Sequence, residues 1–429
     1  MKSYAVDTNT RIYPFNDPIG KSFILDESLA DYTGRILKQA GREPAEPVKN
    51  LLEIGSEPAI VFFDNLYITR KTLEAFLNKA SESKAQKAVL ALPDGPVTGF
   101  AGPLQDRVVE DAGSKKIVLF DLFMVKDTQV DPSRGLTEIR EDLLKGAERI
   151  IVEPEVSLIK APSLRLHGRP LDLDIPQSLF GAAHLRHWVH LLWINRQALE
   201  TRLLEMAEAE KEEGRLFLFG DKEYERWSKK KKPPVYVGEN CNIHPSALVE
   251  DAVLGDNVTI DIKGLVRHAF LGDNVGLTAF HMALGSVVGN GCHTLADTCL
   301  NQVVSMPHST LSNAKLEYTL VGSEAFVTTG VLFYGVGLDG ELEVQDRGKW
   351  VKSGRRLLGG CVGHRCVLGT RAIFMGGRAV PNGYMVVLRP GDGIVKIPRD
   401  VPPGELLYNK GGSLSMVKEI QPPWQPPEW

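Results

Sequence analysis

The sequence predicts two parts, an α/β domain followed by an all-β domain built as a parallel β-helix. The first observation is a six-residue repeat between about residues 237 and 387, in which an aliphatic residue precedes a glycine, two polar residues and a small residue. The second is an alternation of short apolar runs and helical patterns before residue 178. A six-residue period is typical of a β-helix, in which each hexad forms one face of a three-sided coil.

The repeat also predicts which side chains point inward. Hexads begin at Val237, Ile243, Leu254, Leu271 and Val362. The longest run in unbroken phase gives five inward aliphatic or aromatic positions, Val362, Leu368, Phe374, Val380 and Val386. Equivalent residues stack between coils, and glycine or asparagine is expected at the corners.

The first 177 residues predict a layered α/β domain. Apolar runs at 59–63, 87–92, 116–121 and 149–152 are typical of buried strands, and residues 72–80 have the apolar spacing of a helix. Strands separated by helices favour a mainly parallel sheet.

Residues 178–234 are predicted to connect the two domains. A helical pattern runs from about Ser178 to Lys211, and a basic linker ends at Pro234. The β-helix is expected over 235–395, with about six coils of roughly eighteen residues and a C-terminal extension over 396–429. Insertions near 300–318 and 338–356 interrupt the hexads, and such loops commonly carry a binding surface.

Composition narrows the class of protein. A formal net charge of −4 indicates no preference for nucleic acid, and no apolar stretch has the length of a membrane span. The N-terminus has no apolar signal core, so we expect a cytoplasmic location. The five cysteines include no C-x-x-C pair, and His184, His187 and His190 are expected to pack rather than to bind metal, so no metal site is predicted.

The N-terminal part resembles the sugar-nucleotide pyrophosphorylases, including the bifunctional uridyltransferase–acetyltransferases. Residues 5–14 and 17–23 are similar to that family's opening loop, a G-x-G-T-R segment followed by a proline and then P-K. The resemblance implies a Rossmann-like nucleotidyltransferase domain in which Arg11 and Lys21 hold phosphate. It also implies that Asp64, at a strand end, binds Mg²⁺ if nucleotidyl transfer is retained. The loop's glycines are replaced by residues 7–9, whose Cβ atoms obstruct close backbone approach to phosphate.

The C-terminal part resembles the hexapeptide acyltransferases, which are left-handed β-helices. Residues 280–290 look like the H-x-x-H-D-x-x-V-G-N segment of the lipid A precursor acyltransferases, with His281 at the first histidine. Leu284 replaces the histidine that acts as the base in that family. The resemblance implies acyl-CoA as co-substrate and a histidine as general base. The candidates are His281, His293 and His308, and Arg355 and Arg356 are candidates for contacting phosphates of a donor on a neighbouring subunit.

The leading hypothesis is therefore a hexapeptide-class transferase that acts on a nucleotide sugar or another sugar-linked substrate, by acyl transfer. The alternative is a catalytically inactive regulatory or scaffold protein related to the sugar-nucleotide pyrophosphorylases. A second alternative is a sugar-1-phosphate nucleotidyltransferase. In each case we expect self-association as a homotrimer, because flat β-helix faces commonly pack around a threefold axis.

Overall fold

The structure, a computed structural model, describes residues 1–49, 57–126, 136–160, 164–166, 169–171, 173–209, 235–387, 389 and 407–416. The predicted basic linker and most of the predicted C-terminal extension lie outside these residues. The α/β and β-helix fold classes are both confirmed. Among the described helices, none combines the length and the apolar character that crossing a bilayer requires.

The first part is a layered α/β domain. Its elements are β1 (Lys2–Val6), a 3-10 turn (Ile19–Lys21), β2 (Phe23–Ile24), β3 (Glu27–Ser28), α1 (Leu29–Gln39), β4 (Glu46–Val48), β5 (Ala59–Phe63), β6 (Leu66–Ile68), α2 (Arg70–Glu82), β7 (Lys87–Pro93), α3 (Pro96–Phe100), β8 (Val108–Ala112), β9 (Lys115–Val125), α4 (Leu136–Leu144), β10 (Glu148–Ile151), β11 (Ser157–Lys160), β12 (Leu164–Leu166), β13 (Arg169–Leu171), β14 (Asp174–Gln177), β15 (Ala182–His184) and α5 (Trp188–Ala209).

The main sheet has the strand order β10-β7-β9-β5-β1-β4, with β8 paired to β9. β1 runs parallel to β4 and β5, and β10 runs parallel to β7. β9 is antiparallel to its neighbours, so the sheet is mixed. β9 is buried from Ile117 to Val125, because it lies at the centre of the sheet with both of its faces covered.

The helix α5 differs from the prediction in its start and in its environment. It begins at Trp188 rather than near Ser178, because Ala182–His184 forms β15, which pairs with β6. Residues 188–201 are buried on every side, although the sequence shows only one apolar stripe. The reason is that α5 lies between the rest of the α/β domain and the β-helix and shares one core with both.

The second part is the β-helix. Its strands are β16 (Val235–Val237), β17 (Asn242–Ile243), β18 (Leu248–Leu254), β19 (Thr259–Ile260), β20 (Leu265–Leu271), β21 (Gly276–Leu277), β22 (Met282–Leu284), β23 (Val287–Val288), β24 (His293–Thr294), β25 (Cys299–Asn301), β26 (Val304–Ser305), β27 (Thr310–Leu311), β28 (Lys315–Glu317), β29 (Leu320–Val321), β30 (Phe326–Val327), β31 (Leu332–Tyr334), β32 (Glu343–Asp346), β33 (Lys349–Lys352), β34 (Cys361–Val362), β35 (Val367–Leu368), β36 (Ile373–Met375), β37 (Ala379–Val380) and β38 (Met385–Val386). In the predicted extension, β39 (Leu407–Lys410) and β40 (Ser413–Met416) form a hairpin.

The coils stack in parallel register. One face, which includes β23, β26 and β29, packs against α5. A second face is the eight-stranded sheet β17-β19-β21-β24-β27-β30-β35-β38, and a third includes β22, β25 and β28. The predicted inward positions are confirmed, since Val362, Leu368 and Val380 lie in the coil core and Phe374 and Val386 pack against it.

The predicted insertion near residues 300–318 is wrong. β25 pairs with β28 and β26 with β29, so these residues continue the coil. Most coils repeat after 17 residues, and this one repeats after 16, which shifts the phase of the hexad pattern without adding a loop. Each coil contributes one strand to the second face, so its eight strands exceed the six predicted coils. The prediction was too low because it left residues 300–318 out of the coils.

Near the second predicted insertion, the structure places an antiparallel hairpin of β32 and β33. It interrupts the coil between β31 and β34, and the coil repeat is 41 residues there. Val344 of the hairpin is fully buried in the core that α5 also joins. The hairpin therefore extends from the β-helix back to the α/β domain.

Candidate functional site

A cavity of about 730 Å³ lies between the hairpin and the α/β domain. We call it the hairpin cavity. It opens beside the segments that follow β1 and β5, two parallel neighbours. In α/β proteins, ligands bind outside the carboxyl ends of the strands. Its lining residues are Thr10, Arg11, Tyr13, Asn65, Asp106, Arg186, His187, Gln345, Asp346, Arg347 and Gly348.

The segments after β1 and β5 are joined through Asp64. Its Oδ1 accepts hydrogen bonds from the Thr8 hydroxyl at 2.6 Å and from the Thr8 amide at 3.0 Å. Burial raises the pKa of Asp64, and the bonds from Thr8 offset part of that rise. Asn65, not Asp64, lines the cavity, and its Oδ1 is buried without a hydrogen-bond partner in the described part of the chain.

Three arginines and two aspartates surround the hairpin cavity. Arg186 Nη1 lies 2.9 Å from Asp346 Oδ1, and Arg186 Nε lies 3.3 Å from Asp106 Oδ2. Arg347, at the hairpin turn, places Nη2 2.8 Å from the same oxygen of Asp106. Arg11 completes the set, and among the described residues its Nη1 donates to a backbone carbonyl, that of Asn16, at 2.6 Å. The lining therefore has more guanidinium groups than carboxylates, and this excess of positive charge favours an anionic ligand.

Two buried histidines hold the segments around the cavity, His187 the hairpin and His190 the loop after α3. His187 Nε2 donates to the Gln345 carbonyl at 3.1 Å, and His190 Nε2 donates to the Pro103 carbonyl at 2.8 Å. Burial lowers the pKa of His187 and lowers the pKa of His190 to about 3. Both are therefore neutral at physiological pH and act as hydrogen-bond donors of fixed orientation.

Lys21 lies in a different cavity, of about 470 Å³, between residues 12–31 and the β-helix. Its rim is acidic, with Asp17, Asp26, Glu27 and Asp31. Asp17 approaches His364 Nε2 at 3.0 Å and so ties this loop to the β-helix. The structure therefore does not bring Lys21 and Arg11 together in one lining.

The three candidate histidines of the β-helix lie at separate places. His281 is only 2% exposed, its Nδ1 donates to the Thr278 carbonyl at 2.7 Å, and burial lowers its pKa. Its ring fills the space above Gly264, where a Cβ would lie 2.5 Å from Cε1. The His281 Nε2 atom is buried and has no hydrogen-bond partner among the residues described.

His293 and His308 are exposed on the outside of the coil. His293 points outward from β24 and covers Gly276 on the neighbouring coil. His308 occupies a corner in the left-handed region, with φ 63°, where other coils have asparagine. Neither residue lines either of the two cavities, and their catalytic roles stay predictions.

Arg355 and Arg356 are held inside the molecule's own contacts. The Arg355 guanidinium lies over the rings of Phe100 and Trp193, with centroid distances of 5.3 and 5.1 Å, and donates to the Phe100 carbonyl. Burial lowers the pKa of Arg355 to about 10, so it is still a cation at neutral pH. Arg356 donates to the carbonyls of Gly337 and Leu338.

The residues of the described chain do not fit a Mg²⁺ site at the hairpin cavity. Asp64 does not line the cavity, and its Oδ1 accepts both bonds from Thr8. The two carboxylates of the lining, those of Asp106 and Asp346, are paired with guanidinium groups. No three His, Cys, Asp or Glu side chains of the described residues gather as metal ligands.

The sequence did not identify Asn65, Asp106 or Arg186 as site residues, nor Asp346 and Arg347 at the hairpin turn. The turn carries a signal, Asp346-Arg347-Gly348, which is typical of a tight hairpin. Nothing in the sequence shows that this turn meets Arg186, because the two lie far apart in the chain and only the fold brings them together.

Comparison with known proteins adds little to this geometry. No protein-family profile matches the chain. No curated protein matches it either. Among solved structures, it is similar to a Bacillus anthracis protein assigned as a glucose-1-phosphate thymidylyltransferase, in complex with a sucrose, at 11% identity and a TM-score of 0.30. The match covers 46% of this chain and 95% of the other, and the TM-score is too low to bear on the activity.

Proposed function

We propose that this chain binds a nucleotide sugar in the hairpin cavity and acts through that recognition, as a regulatory protein. The observation that carries the proposal is the convergence of three guanidinium groups on one cavity at the carboxyl ends of β1 and β5. Guanidinium groups bind phosphate oxygens through paired N–H donors.

The remaining lining suits the uncharged parts of such a ligand. Tyr13 is 43% exposed, although it is a large aromatic residue, and offers a ring on which a base can stack. Thr10, Asn65 and Gln345 provide donors and acceptors for sugar hydroxyls. The volume lies in the range of roughly 300 to 1,000 Å³ that is usual for small-molecule sites.

The proposal favours recognition over acyl transfer because of where the histidines lie. A general base must come within hydrogen-bond reach of the proton it removes. His281 faces the coil interior, and His293 and His308 lie outside the hairpin cavity. Acyl transfer and nucleotidyl transfer stay predictions.

The first test is the melting temperature of the full chain with UDP-glucose, glucose 1-phosphate or acetyl-CoA. A ligand at a hundred times its dissociation constant stabilises the folded state by about 2.7 kcal/mol. We expect UDP-glucose to raise the melting temperature and acetyl-CoA to leave it unchanged. The proposal would be overturned if acetyl-CoA alone raised the melting temperature, or if UDP-glucose left it unchanged.

The second test locates the site with Arg11→Ala. Within the described part of the chain, the Arg11 guanidinium donates to one backbone carbonyl and pairs with no carboxylate, so its loss is expected to spare the fold. Affinity for UDP-glucose should fall about tenfold or more, since a hydrogen bond to a charged group contributes about 1.5 to 3 kcal/mol. Arg149→Ala, which removes a guanidinium paired with Glu110 away from the cavity, is the matched control. Equal affinity in both variants would argue against this site.

A further inference from the structure

We infer that the hairpin cavity binds the diphosphate of its ligand without a divalent cation, with guanidinium groups in the cation's place. The inference rests on the proposed function and specifies its chemistry. A diphosphate carries charge that a protein must neutralise, and Mg²⁺ or arginine can each do so.

The carboxylates of the lining are already paired with arginine. Asp346 pairs with Arg186 at 2.9 Å, and Asp106 pairs with Arg347 at 2.8 Å and with Arg186 at 3.3 Å. Mg²⁺ needs carboxylate or phosphate oxygens in near-octahedral geometry. A cation entering here would have to displace a guanidinium from each carboxylate, while other guanidinium groups repel it.

The residues at the end of β5 support the same conclusion. The Asp64 carboxylate is turned to Thr8, whose amide and hydroxyl both donate to Oδ1. The residue that lines the cavity is Asn65, which is neutral and whose buried Oδ1 has no protein partner among the described residues. A neutral amide in this position adds no negative charge to the lining.

The guanidinium groups come from both domains. Arg11 and Arg186 belong to the α/β domain, and Arg347 lies at the turn of the hairpin that is inserted in the β-helix. Phosphate oxygens can take N–H donors of Arg186 and Arg347 in place of Asp106. The side chain of Asp106 is 61% exposed, so it can turn to water at little cost.

The test is calorimetric titration of the full chain with UDP-glucose, once with Mg²⁺ and once with EDTA. We expect the two dissociation constants to agree within about threefold. Binding that is lost in EDTA would overturn the inference but leave the proposed function standing. Absence of binding in both buffers would overturn both.

Two variants assign the effect to the cavity. Arg347→Met should weaken binding about tenfold or more, equally in both buffers, because it removes a charged donor. Unchanged affinity in this variant would contradict the role of the hairpin arginine. Melting of the variant without ligand checks that it is folded.

Asn65→Asp is the converse variant. A carboxylate in the cavity should repel the diphosphate in EDTA and create a ligand for Mg²⁺, so the two dissociation constants should separate by about tenfold. Asn78→Asp, on an exposed position of α2, is the control and should behave like the natural chain. Equal constants for Asn65→Asp in the two buffers would contradict the inference that the neutral residue after β5 keeps Mg²⁺ out of the binding.

Discussion

Four charged side chains are fully buried where α5 meets the β-helix. Arg196 Nη2 donates to Glu200 Oε1 at 2.8 Å, and His268 lies between Glu200 at 2.5 Å and Asp251 at 2.6 Å. Gln302 also accepts from Arg196 Nε at 2.6 Å. With His268 protonated, the two cations balance the two carboxylates, and the group is neutral as a whole.

This balance predicts a pH dependence of stability. Burial lowers the pKa of His268, but Glu200 and Asp251 outweigh it and raise the pKa above its ordinary value. The stabilisation is therefore fully present below the unfolded-state pKa of about 6.5 and is lost as pH rises through the raised folded-state pKa. Burial raises the pKa of Glu200, but His268 and Arg196 lower it to about 2, so its stabilisation is lost in strong acid. Urea unfolding from pH 6 to 9 should show a falling free energy of unfolding.

The matched variants are His268→Gln and His293→Gln. Removing one member of a buried ion pair costs about 3 to 5 kcal/mol, because the other charge is left uncompensated. His293 is exposed and forms no ion pair with any residue that the structure describes, so its replacement should leave the free energy of unfolding nearly unchanged. A flat pH profile in the natural chain would contradict the assignment of a proton to His268.

The sequence could not predict this cluster. Arg196 and Glu200 are four residues apart, which is the spacing of an ion pair on one face of a helix. Because the helix shows a single apolar stripe, its charged residues are predicted to be exposed. Their partners Asp251 and His268 lie at coil corners with positive φ, which hexad spacing predicts only as turns. Inward coil positions were predictable because they follow a local period, whereas burial of α5 depends on a second domain.

At the scale of elements, the hairpin of β32 and β33 is held to the α/β domain by Arg355. Its guanidinium lies over the rings of Phe100 and Trp193, so the hairpin is not a free loop. The sequence predicted an irregular segment here and a role in donor binding for Arg355. The aromatic partners are more than 150 residues away in the chain, so their contact with Arg355 had no local signal.

Arg355→Met is expected to loosen the hairpin. It removes the hydrogen bond to Phe100 and the cation–π contacts, at a cost of about 1 to 3 kcal/mol in unfolding free energy. Affinity for UDP-glucose should also fall, because Arg347 loses its fixed position. Lys352→Met, on the exposed side of the hairpin, is the control. Stability reduced with affinity unchanged would show that the hairpin does not position the site.

At the scale of the whole molecule, one edge of the β-helix is apolar and exposed. Phe280 is 57% exposed, and Ile262 and Leu295 are exposed at the same coil corner. Beside them lies a column of apolar side chains in direct register, Leu248, Leu265, Met282 and Cys299. Contiguous apolar surface of this kind marks interaction sites.

We propose that this edge joins the copies of the expected homotrimer. Light scattering should then give three times the mass of the chain, which is 47.3 kDa, and Phe280→Glu should shift the protein toward the monomer. Val109→Glu, at an exposed apolar position of the α/β domain, should leave the mass unchanged. A monomer in the natural chain would end the trimer proposal without affecting the hairpin cavity.

The burial of α5 has a consequence for how the chain can be divided. The helix contributes to the core of both halves of the molecule. If it were removed together with one half, the other half would be left with an exposed apolar surface. A β-helix produced alone would expose Phe270, Val287 and Leu320 to water. We therefore expect heat to melt the chain in a single calorimetric transition, and we expect either half expressed alone to aggregate. The sequence suggests two separate modules, but we expect them to be stable only when they are joined in one chain.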